Sequence, residues 1–397
     1  MEEQIKKQLD EEKLRLIVFK SAADLGKKVD EYLLDLYGYD KKKYTFIVPI
    51  KENFFDDGHL KVEINSTVRG KDLFLITDVG NYSIEYTMRG FTNHASPNDL
   101  MAELKDGIGA SNCHAKSINI VMPLLYAGRQ HRRNTRENLA CGANLREIDR
   151  LHGIKSFITF DAHDQGVEHA TQNMEFENFY ATNTILEEFI NNTPTEELKN
   201  IVFIAPDTGA TGRRNVYLNS FNSEYINREA GSFIKQRDYN HLVNGKYPVV
   251  AHDYCGNDNL TGKTAIVVDD MISSGGSMFD VIDELNRRGI GHIYITVTYA
   301  LFTRGIEKFR EYYNKGMLSG VYTTNLSYIP EEFKKEKWLH VCDCSYQLAQ
   351  IIYNIQNDLS ITGILTDKSR PIKLLELKLK NKIKKQAKPR IKTSNKK

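Results

Sequence analysis

No stretch of this chain approaches the roughly 18 consecutive apolar residues that would cross a bilayer, so no membrane span is expected. The N-terminal run MEEQIKKQLDEEKLRL is charged and helix-like. It lacks the apolar core of a secretory signal, so none is expected. Cysteine is scarce: Cys113, Cys141, Cys255, Cys342 and Cys344 form an odd, scattered set. They fit a reducing cytoplasm better than a disulfide framework, and a cytoplasmic location is expected. Cys342-Asp-Cys344 has half the pattern of a metal site, but no second Cys/His pair of suitable spacing faces it. A true Walker-type phosphate loop is also missing. In GNDNLTGKT (256–264) five residues separate Gly256 from Gly262, where that loop has four, and the segment precedes a strand instead of following one. Thr261-Gly262-Lys263 reads as a tight turn.

What is present is globular. The 397 residues are 41% hydrophobic and 27% charged, a length that suggests two domains. The formal net charge of +2 hides an asymmetry. Residues 368–397 hold 13 Lys/Arg and one Glu, which leaves 41 basic and 51 acidic side chains on the rest, a balance of −10. The tail keeps helical Ile/Leu spacing over 371–386 and then reads as disordered. It could touch nucleic acid or another polyanion, or be a solubilising or oligomer-contacting tail. The second reading is preferred, so a nucleic-acid partner is not expected.

The body alternates apolar runs with helical segments. RLIVFK (15–20), DLFLITD (72–78), SINIVMPL (117–124), SFITFDAH (156–163), NIVFIAPD (200–207), TAIVVDD (264–270) and HIYITVTYAL (292–301) read as strands covered on both faces. Helices are expected at 22–35, 97–106, 138–152, 177–191, 277–289, 304–314 and 345–355. This pattern predicts an α/β fold of two domains, each with a mainly parallel central sheet flanked by helices. The expected divisions are 13–180, 181–367 and a tail at 368–397.

Polar residues gather at strand ends. Asp161 and His163 end one strand, Asp207 another, Asp269 and Asp270 a third. In open α/β sheets ligands bind beyond the carboxyl ends of strands. Any one such Asp could simply cap the next helix, and His163 alone could be a buried structural histidine. After Asp270 come Ser273, Ser274, Gly275, Gly276 and Ser277, then a helix. Small residues let backbone N–H groups approach a phosphate at a helix N-terminus. The two aspartates suit sugar hydroxyls or a divalent cation. A ribose bearing a 5-phosphate fits both ends.

VVDDMISSGGS (267–277) resembles the phosphoribosyl-pyrophosphate (PRPP) motif shared by type I phosphoribosyltransferases and PRPP synthetases. Four further stretches resemble the synthetases alone: FFDDGHLKVEINSTVRGKDLFLI (54–76), LYAGRQHRRNTRE (125–137), FITFDAHDQ (157–165) and FIKQR (233–237), in the family's order. The resemblance spans about residues 15–367. It implies two phosphoribosyltransferase-type domains and transfer of a diphosphoryl group from Mg-ATP to the C1 hydroxyl of ribose 5-phosphate, with AMP released. It implies that His163 and Asp207 position Mg²⁺, and that Lys235 and Arg237 are catalytic on a mobile loop (238–262). Asp269 and Asp270 would hold the ribose, and Ser273, Ser274, Gly275, Gly276 and Ser277 its phosphate. Arg129 and Gln130 would contact ATP. Phe55, Asp57 and His59 would form an adenine pocket supplied by a neighbouring subunit, so a homo-oligomer, dimer or hexamer, is expected.

Three positions depart from the family pattern: His59 for Glu, His131 for Asp and Ser273 for Asp. They bear on substrate identity more than on reaction type. An enzyme acting on another ribosyl 5-phosphate compound and a non-catalytic regulatory paralogue stay open alongside the synthetase reading.

Overall fold

The computed structural model describes residues 12–112, 114–133, 136–237 and 249–386, with the side chains of 235–237, 249–252 and 381–386 excepted. The helix-like segment before Glu12, Cys113, the 238–248 part of the expected loop, the side chains of Lys235 and Arg237, and the tail beyond Gln386 lie outside the described residues.

Five parallel strands form the first sheet: β1 (Leu14–Val18), β2 (Asp72–Ile76), β3 (Ser117–Val121), β4 (Ile154–Phe160) and β5 (Glu175–Phe179). They lie side by side in chain order. Helices α1 (Ala23–Tyr37), α2 (Pro97–Ser111) and α3 (Ala140–Asp149) follow the first three strands. Ser96 starts α2: its hydroxyl accepts from Asp99 N while Asp99 Oδ2 accepts from Ser96 N at 2.8 Å, with Pro97 just inside the helix.

The second sheet has seven strands: β6 (Asn200–Ala205), β7 (Asn227–Arg237), β8 (Val249–Cys255), β9 (Thr264–Ile272), β10 (His292–Ala300), β11 (Gly320–Thr324) and β12 (Leu339–Cys342). Their order is β8-β7-β6-β9-β10-β11-β12, parallel except for the β7–β8 pair. Helices α4 (Thr182–Asn192), α5 (Thr211–Ser220), α6 (Gly276–Arg287), α7 (Glu307–Asn314) and α8 (Ser345–Gln356) cover it.

Period-2 alternation sorts the strand residues into separate cores. Leu73 and Leu75 face an outer core with α2 and α3, while Phe74 and Ile76 face a central core. That central core also takes Ile201, Phe203, Ile266 and Val268 from the second sheet, with α1, α4 and α8 between. Their neighbours Val202, Ile204 and Val267 face a third core beneath α6 and α7. Both faces of both sheets are covered, so the strands read as continuous apolar runs.

One expectation needs correction. The helix expected over 177–191 begins only at Thr182, because residues 175–179 form strand β5. Phe176 and Phe179 stand in register with Phe157 and Phe160 of β4, and the aromatic rings pair across the strands at centroid distances of 5.8 Å. The start of the basic tail is helical, as its Ile/Leu spacing over 371–386 suggests. Residues Ser369–Gln386 form a further helix, α9, whose Leu375 and Leu379 are buried in the central core. The four-residue spacing puts both on one helical face. Lys378 donates to the carbonyls of Ile190, Asn191 (3.1 Å) and Thr193 (2.6 Å), neutralising the C-terminal end of α4.

Side chains tie the two sheets together. Asp78 accepts from Ser327 Oγ at 2.9 Å and from Tyr328 N at 2.7 Å. Tyr299 Oη donates to Phe160 O at 2.8 Å. Among the described residues no helix is long and apolar enough to cross a membrane.

Candidate active site

The carboxyl ends of β4, β6 and β9 meet where the two sheets face each other. Asp161 follows β4 and is 4% exposed, with φ 45°, a left-handed conformation that costs an L residue about 1 kcal/mol or more. Two contacts from the second half of the chain hold it there. Arg213 Nε, from the first turn of α5, donates to Asp161 Oδ1 at 2.7 Å, and Thr298 Oγ1 donates to Oδ2 at 2.6 Å. Arg213 also stands 3.8 Å from Asp269 Oδ1.

His163 Nδ1 and Asp270 Oδ2 are 2.6 Å apart, a hydrogen bond between the ends of β4 and β9. The other oxygen of Asp270 accepts from Met271 N at 2.9 Å. Asp270 is thus fully engaged, whereas Asp269 is partly open. Burial drives the Asp269 carboxyl well above its usual range, and neighbouring Asp270 adds to this. Burial works against Asp270 as well, but the hydrogen bond to His163 and the charge of Arg213 outweigh it and hold Asp270 below the usual range. An ionised Asp270 can only accept, so Nδ1 of His163 carries the proton and Nε2 is the nitrogen left for other contacts. Burial raises Asp161 too, against the pull of Arg213. Three acids around one guanidinium and one imidazole cannot all ionise cheaply, and the cluster favours an added cation.

Asp207 uses Oδ1 to accept from Gly209 N at 3.0 Å and Ala210 N at 3.2 Å, capping the turn into α5. Its charge reaches Asp269 and helps to raise that group. Across the cleft, the 125–133 loop brings His131 over His163 with ring centroids 5.1 Å apart, and His131 Nε2 lies 3.4 Å from Asp164.

The Ser273–Ser277 turn sits beside this cluster. Ser273 O accepts from Thr303 N, and Gly275 opens α6 at φ 80°. A Cβ on Gly275 would lie 2.7 Å from Phe309, so glycine is required by conformation and by space. In contrast, Gly262 (φ 70°) makes the turn at 261–263, and Lys263 pairs with Glu229 at 2.7 Å, as structural residues do.

Lys235 and Arg237 lie on β7, where Lys235 stands in register with His252 of β8. Phe55, Asp57 and His59 are not part of the cluster. They occupy the tip of a separate hairpin (Ile50–Phe54 with Leu60–Ile64), with Phe55 half exposed and Asp57 paired to His59 at 3.1 Å. Arg129 and Gln130 are at the rim of an apolar cavity between the two sheets.

Sequence reading missed Arg213, Thr298 and Asp78. Arg213 had a signal: it is a cation in the first helical turn after the small-residue run Asp207-Thr-Gly-Ala-Thr-Gly, where an anion would be the usual choice. Thr298 had none, since a threonine within an apolar strand is common.

Magnesium fits the donors present. Among the described residues no group of three or more His, Cys, Asp or Glu side chains is arranged to hold an ion alone. One imidazole nitrogen and one or two carboxylates suit a hard cation that is shared with substrate phosphates. Cys342 and Cys344 are buried, and burial raises both thiols.

Comparison with known proteins agrees with this geometry. Residues 14–149 match the N-terminal domain of ribose phosphate pyrophosphokinase, and 173–326 match the phosphoribosyl transferase domain. A ribose-phosphate pyrophosphokinase of Nostoc sp. is 24% identical over 355 residues, covering 89% of this chain and 93% of the relative. One from Mycoplasmopsis pulmonis is 22% identical over 315 residues, covering 79% and 88%. The crystal structure of phosphoribosylpyrophosphate synthetase from Mycobacterium smegmatis superposes with a TM-score of 0.68 at 18% identity, covering 87% of this chain and all of that one. Two domain matches in order, full-length relatives and a shared fold make this chain an enzyme of the ribose-phosphate pyrophosphokinase family.

Proposed function

We propose that the protein transfers the diphosphoryl group of Mg-ATP to the C1 hydroxyl of ribose 5-phosphate, giving PRPP and AMP. The observation that carries this reading is the 2.6 Å bond between His163 and Asp270, which seats an imidazole next to the Ser273–Ser277 turn. The sugar phosphate lies in that turn, on backbone N–H groups and hydroxyls. Asp269 takes the ribose hydroxyls, and Asp270 holds His163 in its working tautomer. His163 Nε2 and Asp207 hold Mg²⁺, which neutralises phosphate charge when bound. Lys235 and Arg237 stabilise charge on the transferring group. Arg129 and Gln130 contact the triphosphate side of ATP. Phe55, Asp57 and His59 reach the base from a second copy, in a cytoplasmic homo-oligomer.

The test is direct. Purified protein with Mg-ATP and ribose 5-phosphate should release AMP and PRPP in equal amounts. AMP formed only with a different ribosyl acceptor, or no turnover with ATP still bound, would reject the assignment.

A further inference from the structure

Strand β7 outruns its neighbour. It pairs with β6 from Asn227 to Ser232, and from Phe233 to Arg237 its partner among the described residues is β8 alone. Residues 233–237 and 249–254 thus form a two-stranded ribbon beyond the carboxyl end of β6, the edge where Asp207 stands. A ribbon of two strands is marginally stable on its own. Lys235 lies three residues past the last one that β6 supports, about 10 Å at strand rise. At that distance a tilt of roughly 6° at the root displaces it by about 1 Å, enough to cost ~10²-fold in rate at a catalytic group. The register shift between Gln236 and Arg237 adds a bend further out, so an error at the root is carried to both residues.

Tyr254 stands at that root. It faces Phe233, the first residue without support from β6, and the ring centroids are 5.4 Å apart. Phe233 is itself fully buried in the core beneath α6 and α7. Two glycines make room for the tyrosine. A Cβ on Gly231 would lie 2.6 Å from its Cε2, and one on Gly256 2.7 Å from its Cζ, so the ring is wedged against backbone on both sides. The Arg288 guanidinium, just past the end of α6, lies 4.9 Å from the ring centroid and pairs with Glu284 at 2.7 Å. The Tyr254 hydroxyl is buried and has no hydrogen-bond partner among the described residues. The ring, and not the hydroxyl, makes the contacts.

We propose that Tyr254 is a positioning residue for the reaction: wedged at the root of the ribbon, its ring fixes the direction in which the strand bearing Lys235 and Arg237 leaves the sheet. It touches no substrate and acts through β7. Cations that stabilise a transferring phosphoryl group are effective only when held in place. This deepens the proposed function and rests on it for the role of those two cations.

Tyr254→Ala in the full-length protein should lower kcat about 30–100-fold, while KM for ATP and for ribose 5-phosphate stay within about threefold. Tyr254→Phe should keep kcat within about twofold, since only an unpartnered hydroxyl is lost. Hydrogen–deuterium exchange gives a readout that general loosening would not: amides of 233–237 and 250–254 should exchange about tenfold faster in Tyr254→Ala, while those of 200–205 and 264–272 stay as in wild type. Arg288→Met removes the cation over the ring and should show the same pattern with kcat lowered about threefold, so it carries the test if the alanine variant does not fold. An unchanged kcat, a loss shared by Tyr254→Phe, or faster exchange across the whole sheet overturns the assignment. Wild-type protein that makes no PRPP rejects the reaction instead, and the exchange pattern then decides by itself whether Tyr254 holds the ribbon.

Discussion

Arg213 and Asp161 form a largely buried ion pair, Nε to Oδ1 at 2.7 Å, that joins the first turn of α5 to the end of β4 and so links the two sheets at the carboxyl ends of their strands. The pair gathers its neighbours as well. Burial opposes the Arg213 charge, yet Asp161 and then Asp270 hold its pKa above the usual value, so it is a fixed cation.

Removing that cation should leave Asp161 and Asp269 without compensation. Arg213→Met is expected to lower stability by about 3–5 kcal/mol in urea unfolding, the usual cost of stranding one partner of a buried pair. The double variant Arg213→Met/Asp161→Asn should recover much of this, because Asp161 is then no longer a buried charge without its partner. If the double variant is no better than the single one, the ion pair is not what the substitution breaks.

Asp270→Asn tests the orientation of His163. An amide can donate where the carboxylate only accepts, and it supplies no charge to fix the Nδ1–H tautomer. Turnover should fall by roughly 10²–10⁴, as when other buried acids that orient a histidine are neutralised. Thermal stability should change far less. A kcat within threefold of wild type would remove Asp270 from the role of holding the imidazole.

Gly275→Ala tests the proposed phosphate role of the Ser273–Ser277 turn. Its φ of 80° and the 2.7 Å approach of Phe309 both exclude a Cβ. The substitution should cost about 1–3 kcal/mol and raise KM for ribose 5-phosphate at least tenfold. KM for ATP should move much less, which separates a local change in the turn from general loosening.

Asp78 gives a pH signature. Its carboxyl is pushed up to about 6 by burial, which prevails over hydrogen bonds from Gly80, Tyr328 and Ser327. The unfolded chain binds this proton only below about pH 4. Between about pH 4 and 6 the folded state therefore binds more protons than the unfolded one. Stability from this group is highest below that window and falls as pH rises through it, by about 3 kcal/mol in all. Asp78→Asn should flatten the dependence between pH 4 and 6. An unchanged profile in the variant would mean that another group titrates there.

Periodicity and local chemistry reveal much of this molecule without coordinates. The seven apolar runs are all strands, since a strand covered on both faces needs apolar side chains in both directions. The Ser273–Ser277 turn was legible because a contiguous stretch of small residues between a strand and a helix marks a tight turn with accessible backbone N–H groups. Other elements were hidden for physical reasons. β5 reads EFENF, polar enough to pass for helix, and only its register with β4 explains its aromatics. The 85–94 hairpin leans on the 50–64 hairpin through the Phe54–Tyr86 stack at 4.1 Å, a pairing of residues with no local signal. The same holds for Asp78 with Ser327, which are 249 positions apart.

Residue order alone settled which groups are delivered to strand ends, because the alternation of strand, loop and helix is a local property of the chain. It also marked the small-residue turn between β9 and α6. Only the packing of one sheet against the other decided which groups become partners: His163 with Asp270, Asp161 with Arg213, and Tyr82 with Tyr328. The reason is range. Backbone preference acts over a few residues, whereas the charge state of a buried acid depends on whatever the fold sets within a few ångströms of it.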